Sequence, residues 1–248
     1  RLRAIARNGT GVDNIDLAAA AARGVRVFRA EGANARGVAE LTVGFLFALA
    51  RFLPAADATL KAGRWERTRG FELQGRTLGL LGAGRVGREV AALASALGMR
   101  VLAYDPYPTE TPCIQWASRD ETMAGADFLS LHCPPSLDRA PLVDSAALGR
   151  MRPGAFLINT ARADLLEPRA VLAALQDGRL GGLALDVFPE EPPPLDDPLL
   201  RHPRVVATPH IGGYTAESVE RAADVAVDHL LAALRPARTT PSVLLSPP

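Results

Sequence analysis

The stretch that decides the fold is Thr77-Leu78-Gly79-Leu80-Leu81-Gly82-Ala83-Gly84-Arg85-Val86-Gly87. Thr77–Leu81 reads as a buried strand. It runs straight into Gly-x-Gly-x-x-Gly, and the pattern after Gly84 predicts a helix over Arg85–Leu97. Spaced glycines alone say little. Between an apolar strand and a helix they describe a turn that wraps a pyrophosphate. Gly82 permits the tight turn, Gly84 lets backbone approach the phosphates, and Gly87 allows close helix–strand packing. The helix N-terminus adds free N–H groups and partial positive charge. The next strand, Arg100–Tyr104, ends at Asp105. An acidic residue there accepts hydrogen bonds from ribose hydroxyls and repels a 2′-phosphate, and Pro106, not arginine, follows it. The expected cofactor is NAD rather than NADP.

Around this unit the chain alternates strand and helix. Apolar runs predict strands at Leu2–Ala6, Val25–Phe28, Asp127–His132, Ala155–Asn159, Gly182–Leu185 and Arg204–Ala207. Helices are expected at Leu17–Ala22, behind N-cap candidates Asp13 and Asp16, and at 120–124, 144–148, 168–176 and 216–234. Continuous apolar strands separated by helices mean a parallel sheet covered on both faces. A long helix over 36–52, ended by Pro54, is apolar nearly all round, which predicts burial between two bodies. Residues 55–75 read as irregular around a short helix, with Trp65 and Phe71 as anchors. After Leu234 a Pro/Ser-rich tail is expected to fray.

Composition narrows the function classes. The 248 residues carry a formal net charge of +1, which argues against electrostatic capture of nucleic acid or acidic membrane. The longest apolar run, near Val43–Ala50, is too short for a membrane span, and no signal peptide is expected. Cys113 and Cys133 have neither disulfide-framework nor metal-ligand spacing, so no metal is expected and free thiols in a cytoplasmic protein are the reading. The first methionine is Met99 and the chain opens on Arg1, which leads to the expectation that a segment precedes it.

Three polar residues fall just beyond strand ends, where open α/β sheets bind ligands. Arg162 follows Asn159-Thr160-Ala161, Glu191 lies in Asp186-Val187-Phe188-Pro189-Glu190-Glu191, and His210 lies in Thr208-Pro209-His210-Ile211-Gly212-Gly213. Reducing a 2-keto acid needs a cation for the carboxylate, a proton donor for the carbonyl oxygen and a hydride carrier. The arginine fork suits the first, and imidazole the second. A carboxylate beside the imidazole orients the ring and selects its tautomer. Singly, each residue has a blander reading: a packed histidine, a surface arginine, a solvated glutamate. Together, at the strand ends of one nucleotide-binding sheet, they describe an active site.

The chain resembles the D-isomer-specific 2-hydroxyacid dehydrogenases over nearly its whole length. The matching segments are NGTGVDNIDLAAA (8–20), LGLLGAGRVGRE (78–89), YDPY (104–107), LHCP (131–134), INTAR (158–162), ALDVFPEEP (184–192) and TPHIGG (208–213). The opening and KAGRWER (61–67) look most similar to the D-3-phosphoglycerate dehydrogenase branch. The resemblance implies that Arg162 binds the substrate carboxylate and that His210, backed by Glu191, is the general acid/base. It also implies cofactor contacts from Thr10, Arg85, Val86, Asp105, Cys133, Thr160, Ala161, Asp186, Gly212 and Gly213, beside Gly82, Gly84 and Gly87. Gly9, Thr10, Gly11 and Asn34 would face the substrate. The implied architecture is a Rossmann domain, 35–213, with a smaller flavodoxin-like substrate domain from 1–34 and 214–248, one lobe of which would precede Arg1. No C-terminal regulatory domain is expected. A homodimer is expected through the apolar helix at 36–52. Ala163-Asp164 departs from the glycines usual after the family's arginine. Two further readings share the scaffold: an NAD-responsive co-repressor or scaffold protein, and a formate or phosphite dehydrogenase.

Overall fold

A computed structural model describes residues 2–12, 14–136, 138 and 140–235. Asp13, offered above as a helix cap, and the tail after Arg235 lie outside the described residues. The chain divides into two units, 34–218 and a smaller one of 1–33 with 219–248. The expected boundaries were 34/35 and 213/214. Asn34 belongs to the larger unit, and so do Thr215 and Ser218, which pack closely on Gly37 of the same unit.

In the smaller unit, β1 (Ala4–Arg7) and β2 (Arg26–Arg29) pair in parallel, with Ala4 opposite Arg26. Between them α1 (Leu17–Ala22) starts at Asp16, whose carboxylate accepts from Ala19 N at 2.8 Å. The last helix, α8 (Ala216–Leu234), enters this unit at Val219. Its His229 stacks on Phe28 with ring centroids 5.0 Å apart, and the Arg26 guanidinium donates to Ala233 O.

The larger unit is built on seven parallel strands: β3 (Thr77–Leu81), β4 (Arg100–Tyr104), β5 (Gln115–Trp116), β6 (Phe128–Leu131), β7 (Ala155–Asn159), β8 (Leu180–Leu185) and β9 (Val205–Ala207). Their order is β5-β4-β3-β6-β7-β8-β9. The chain therefore moves outward from β3 in one direction, then returns to build the other. That reversal beside β3 opens a crevice at the strands' carboxyl ends.

Period-two alternation divides the strand side chains between two cores. On one face Leu78, Leu80, Phe128, Phe156 and Ile158 pack with Phe45, Leu46 and Leu49 of α2 (Ala35–Arg51) and Val90 of α4 (Arg85–Ala96). On the other, Leu129, Leu131, Leu157 and Leu183 pack with α5 (Arg119–Gly125), α6 (Ser145–Arg150) and α7 (Pro168–Gln176) through Met123, Leu148 and Val171. Each fully buried Leu here contributes about 1.5–3 kcal/mol. Phe71, Phe128 and Phe156 form an aromatic group with centroids 5.0–5.9 Å apart.

Two expectations fail near the end of α2. The helix stops at Arg51 because Phe52 turns left-handed (φ 53°), and α3 (Leu53–Lys61) sets off at 62° to it. Pro54 does not end a helix; it sits in the first turn of α3, where its missing N–H has no intrahelical role. Phe71 is an anchor, but Trp65 is not, being 81% exposed. Among the described residues no single helix is long and apolar enough to cross a membrane.

Candidate active site

The loop after β3 takes its shape from steric necessity. Gly82 has φ 95°, and a Cβ there would lie 2.6 Å from His132 C. A Cβ on Gly87 would lie 2.4 Å from Gly82 O. A Cβ on Gly84, by contrast, would meet nothing within 4 Å. Two glycines are demanded by packing and the third borders open space, at the start of a 12-residue helix with no side-chain cap. Arg85 and Val86 form the first turn of that helix. Asp105 beyond β4 holds the loop from the other side. Its Oδ2 accepts from Ala83 N at 2.8 Å and its Oδ1 from Tyr107 N at 2.9 Å. Each oxygen keeps a further lone pair for a ribose hydroxyl. Space at Gly84, uncapped helical N–H groups and a carboxylate beside them fit a dinucleotide.

His132 and Cys133 follow β6, against Gly82. The His132 ring bonds Ser130 Oγ through Nε2 at 2.8 Å, and burial pushes its pKa down to about 4. Burial raises the Cys133 thiol to about 11, and the charge of Asp105 adds to the rise. Both groups are thus neutral at physiological pH, and Cys133 brings no thiolate to oppose a phosphate-bearing ligand.

Arg162 stands on the turn leaving β7. Its backbone is extended (φ −144°, ψ 142°), it precedes the short 3₁₀ turn Ala163–Leu165, and its Nη1 donates to Ala161 O at 2.7 Å. Asn159, the last residue of β7, is fully buried. Its Oδ1 accepts from Ala161 N at 3.0 Å and its Nδ2 donates to Arg162 O at 2.8 Å. The Thr160 hydroxyl turns away to Thr42 of α2 at 3.2 Å. Thr42 donates to Val38 O, so Thr160 is the donor in that pair. The Thr160 side chain is thus spent inside the protein, and the Ala161 N–H and C=O are held by Asn159 and Arg162.

His210 stands on the turn leaving β9, in a left-handed conformation (φ 53°) that non-glycine residues adopt only when their surroundings impose it. The buried Asp186, just past β8, imposes it. Asp186 Oδ1 accepts from Thr208 Oγ1 (2.6 Å) and Ile211 N (2.8 Å), and Oδ2 accepts from Gly212 N (2.8 Å). Asp186 is thus occupied in tying the loop around His210. Gly213 lies under the Asn34 amide, which would be 2.7 Å from a Cβ there. Glu191 reaches His210 from the loop after β8, with Oε1 and Oε2 2.9 and 2.8 Å from Nδ1. Phe188 N donates to Glu191 Oε1 at 3.1 Å. An ionised carboxylate only accepts, so Nδ1 carries hydrogen and Nε2 is left for proton exchange. Among the described residues Nε2 has no hydrogen-bond partner.

Arg162, Glu191, His210 and the glycine loop thus all lie at the carboxyl end of one sheet. Only β8 separates β7 from β9, so the turns bearing Arg162 and His210 start about 10 Å apart. Gly9, Thr10 and Gly11 belong to the smaller unit, where Thr10 Oγ1 donates to Ala30 O at 3.2 Å and Gly9 O accepts from Ala30 N. Reading the sequence missed Asn159 and Thr42. The signal for Asn159 was an amide closing an otherwise apolar strand, Ala155–Asn159; Thr42, a hydroxyl inside a helix, carries no such signal. Among the described residues no cluster of His, Cys, Asp and Glu could hold a metal ion.

Residues 43–212 match the family model described as D-isomer specific 2-hydroxyacid dehydrogenase, NAD binding domain. The chain belongs to this family. It is 39% identical over 242 residues to D-3-phosphoglycerate dehydrogenase of Methanocaldococcus jannaschii, covering 95% of this chain and 46% of that protein. It is 40% identical over 225 residues to hydroxypyruvate reductase of Thermotoga maritima, covering 89% of this chain and 74% of that one. The chain spans under half the length of the Methanocaldococcus jannaschii, rat and Mycobacterium bovis phosphoglycerate dehydrogenases that it matches. The crystal structure of the TT0316 protein from Thermus thermophilus superposes with a TM-score of 0.88 at 41% identity, covering 94% of this chain and 76% of that one. The 2-hydroxyacid dehydrogenase family and the Rossmann-type parallel sheet both accord with the reading from motifs.

Proposed function

We propose that this chain is an NAD-dependent dehydrogenase of small D-2-hydroxy and 2-keto acids, of the 3-phosphoglycerate, hydroxypyruvate or glyoxylate type. The observation that carries the reading is the Glu191 carboxylate held on His210 Nδ1, at the sheet end that also bears Arg162 and the glycine loop. NAD, when bound, supplies or takes up the hydride. Gly84 and the first turn of α4, with Arg85 and Val86, receive its pyrophosphate, and Asp105 receives the adenosine ribose and disfavours a 2′-phosphate. Thr10, Cys133, Thr160, Ala161, Asp186, Gly212 and Gly213 are proposed to line the remainder of the cofactor path.

Arg162 binds the substrate carboxylate through its planar fork and draws electron density from the adjacent carbonyl. His210 Nε2 gives a proton to the carbonyl oxygen in reduction and removes it in oxidation, while Glu191 holds the ring in the orientation and tautomer that leave Nε2 for the exchange. Gly9, Thr10, Gly11 and Asn34 are proposed substrate contacts. The homologues' names span phosphoglycerate and hydroxypyruvate chemistry, which supports the substrate class and leaves the individual acid to assay.

The test is steady-state NADH oxidation with hydroxypyruvate, 3-phosphohydroxypyruvate, glyoxylate and pyruvate, with formate plus NAD as control. Turnover on a keto acid, falling about 10³-fold or more in Arg162→Ala, is expected from removing a charge-assisted bidentate pair that also orients the substrate. Near-normal turnover in that variant ends the assignment. We further propose a homodimer working in the cytoplasm. Exposed Phe47, Leu53, Leu60 and Trp65, close together in sequence, support the first; the free thiols Cys113 and Cys133 suit the second.

A further inference from the structure

Asn159 and Asp186 are two of the few polar side chains wholly buried in the larger unit, 0% and 1% exposed, and they lie side by side at the ends of β7 and β8. Asp186 N donates to Asn159 O at 3.1 Å. A buried amide needs partners for both its ends. Asn159 finds both in the same turn: Ala161 N–H for Oδ1 and Arg162 C=O for Nδ2. These partners also settle which end of the amide is oxygen. Asparagine carries its acceptor and its donor on two separate atoms, and the turn uses both. Aspartate could not donate to Arg162 O, and serine has donor and acceptor on a single, shorter-reaching oxygen. Arg162 O receives a second donor, Leu165 N at 3.3 Å, from the 3₁₀ turn that follows. The backbone from which the Arg162 guanidinium extends is therefore clamped on both sides, and the Asn159 amide is the clamp that ties it to the sheet.

We infer that Asn159 is the positioning residue for Arg162: its side-chain amide fixes the turn that aims the guanidinium at the substrate carboxylate. The inference rests on the proposed role of Arg162. Both ends of the Asn159 amide are spent on this turn, so it acts through Arg162. Its loss lets the turn relax, and a guanidinium displaced by about 1 Å binds and orients carboxylate poorly while the glycine loop, two strands away, stays as it was.

The experiment compares Asn159→Ser, Asn159→Ala and Arg162→Ala with the unaltered chain. Three quantities are read: NADH affinity by fluorescence, oxamate affinity of the NADH complex by calorimetry, and KM and kcat for hydroxypyruvate. For Asn159→Ala, KM and the oxamate dissociation constant should rise about tenfold or more, with NADH affinity within about twofold of the unaltered chain. Asn159→Ser, keeping the acceptor, should fall between. If the alanine variant fails to fold, the serine variant decides alone: weakened oxamate binding supports the inference and unchanged binding overturns it. Oxamate and NADH affinity falling by the same factor also overturns it, since that is a general loosening. Should Arg162→Ala abolish oxamate binding while the Asn159 variants retain it, only the positioning role fails. Oxamate bound normally by Arg162→Ala removes the role of Arg162 itself.

Discussion

At Glu191 and His210 the chemistry reduces to which ring nitrogen holds the proton. Glu191→Gln substitutes an amide that both donates and accepts, so the ring is no longer held to the tautomer with Nδ1–H. A fall in kcat of about 10²-fold, with KM for the keto acid nearly unchanged, is expected in steady-state assays. His132 gives a second prediction at this scale. In the folded chain its ring takes a proton only below about pH 4, against 6.5 for an ordinary histidine. Between those values the unfolded chain holds the extra proton, so stability falls as pH falls from 6.5 to 4. The total is about 3 kcal/mol. His132→Gln should remove this part of the acid loss, seen as a smaller shift in urea midpoint between about pH 7 and about pH 4.5. An unaltered shift would contradict the assignment. The side chains proposed to act on the substrate were conspicuous in the sequence because charge beyond an apolar strand stands out. Asn159 was less so, because its amide bonds inside the protein, and the bonds by which the Asp186 carboxylate ties the loop that carries His210 were equally hidden.

Elements followed the same division. The strands of the large sheet and helices α4–α8 were readable from runs and caps, since hydrophobic periodicity and strand-end residues report directly on burial. β5 was not, because two residues pairing at a sheet edge carry no periodicity of their own. The break between α2 and α3 was placed at Pro54, whereas the turn is made by Phe52 in a left-handed conformation that nothing in its side chain advertises. The glycine loop permits a sharper test than any of these. Gly84→Ala adds a methyl to open space, so its melting temperature should match the unaltered chain while NADH affinity drops about tenfold or more, the methyl occupying the place meant for phosphate. Gly87→Ala forces a methyl against Gly82 O and should lose about 1–3 kcal/mol of stability as well. Equal thermal losses in the two variants would mean that the space at Gly84 is not a ligand site.

For the whole molecule, a chain of 26.2 kDa that exposes Phe47, Leu53, Leu60 and Trp65 along one stretch should sediment as two copies, and Trp65→Glu should shift it toward one. A monomer at all concentrations would contradict the dimer. The division into a large nucleotide-type unit and a small one containing Thr10 follows from where strands and the last helix fall, and its limits shifted by a few residues because Thr215 and Ser218 pack on Gly37. The central claim is that Arg162 and the Glu191–His210 pair serve one hydride transfer to C2 of a keto acid. Its most direct test is NADH deuterated at the transferable C4 position, incubated with hydroxypyruvate and this chain, with the product read by NMR and chiral chromatography. Deuterium at C2 of a D-hydroxy acid, absent with Arg162→Ala, is the predicted result. NADH consumed without labelled product, or label retained equally by Arg162→Ala, would contradict it.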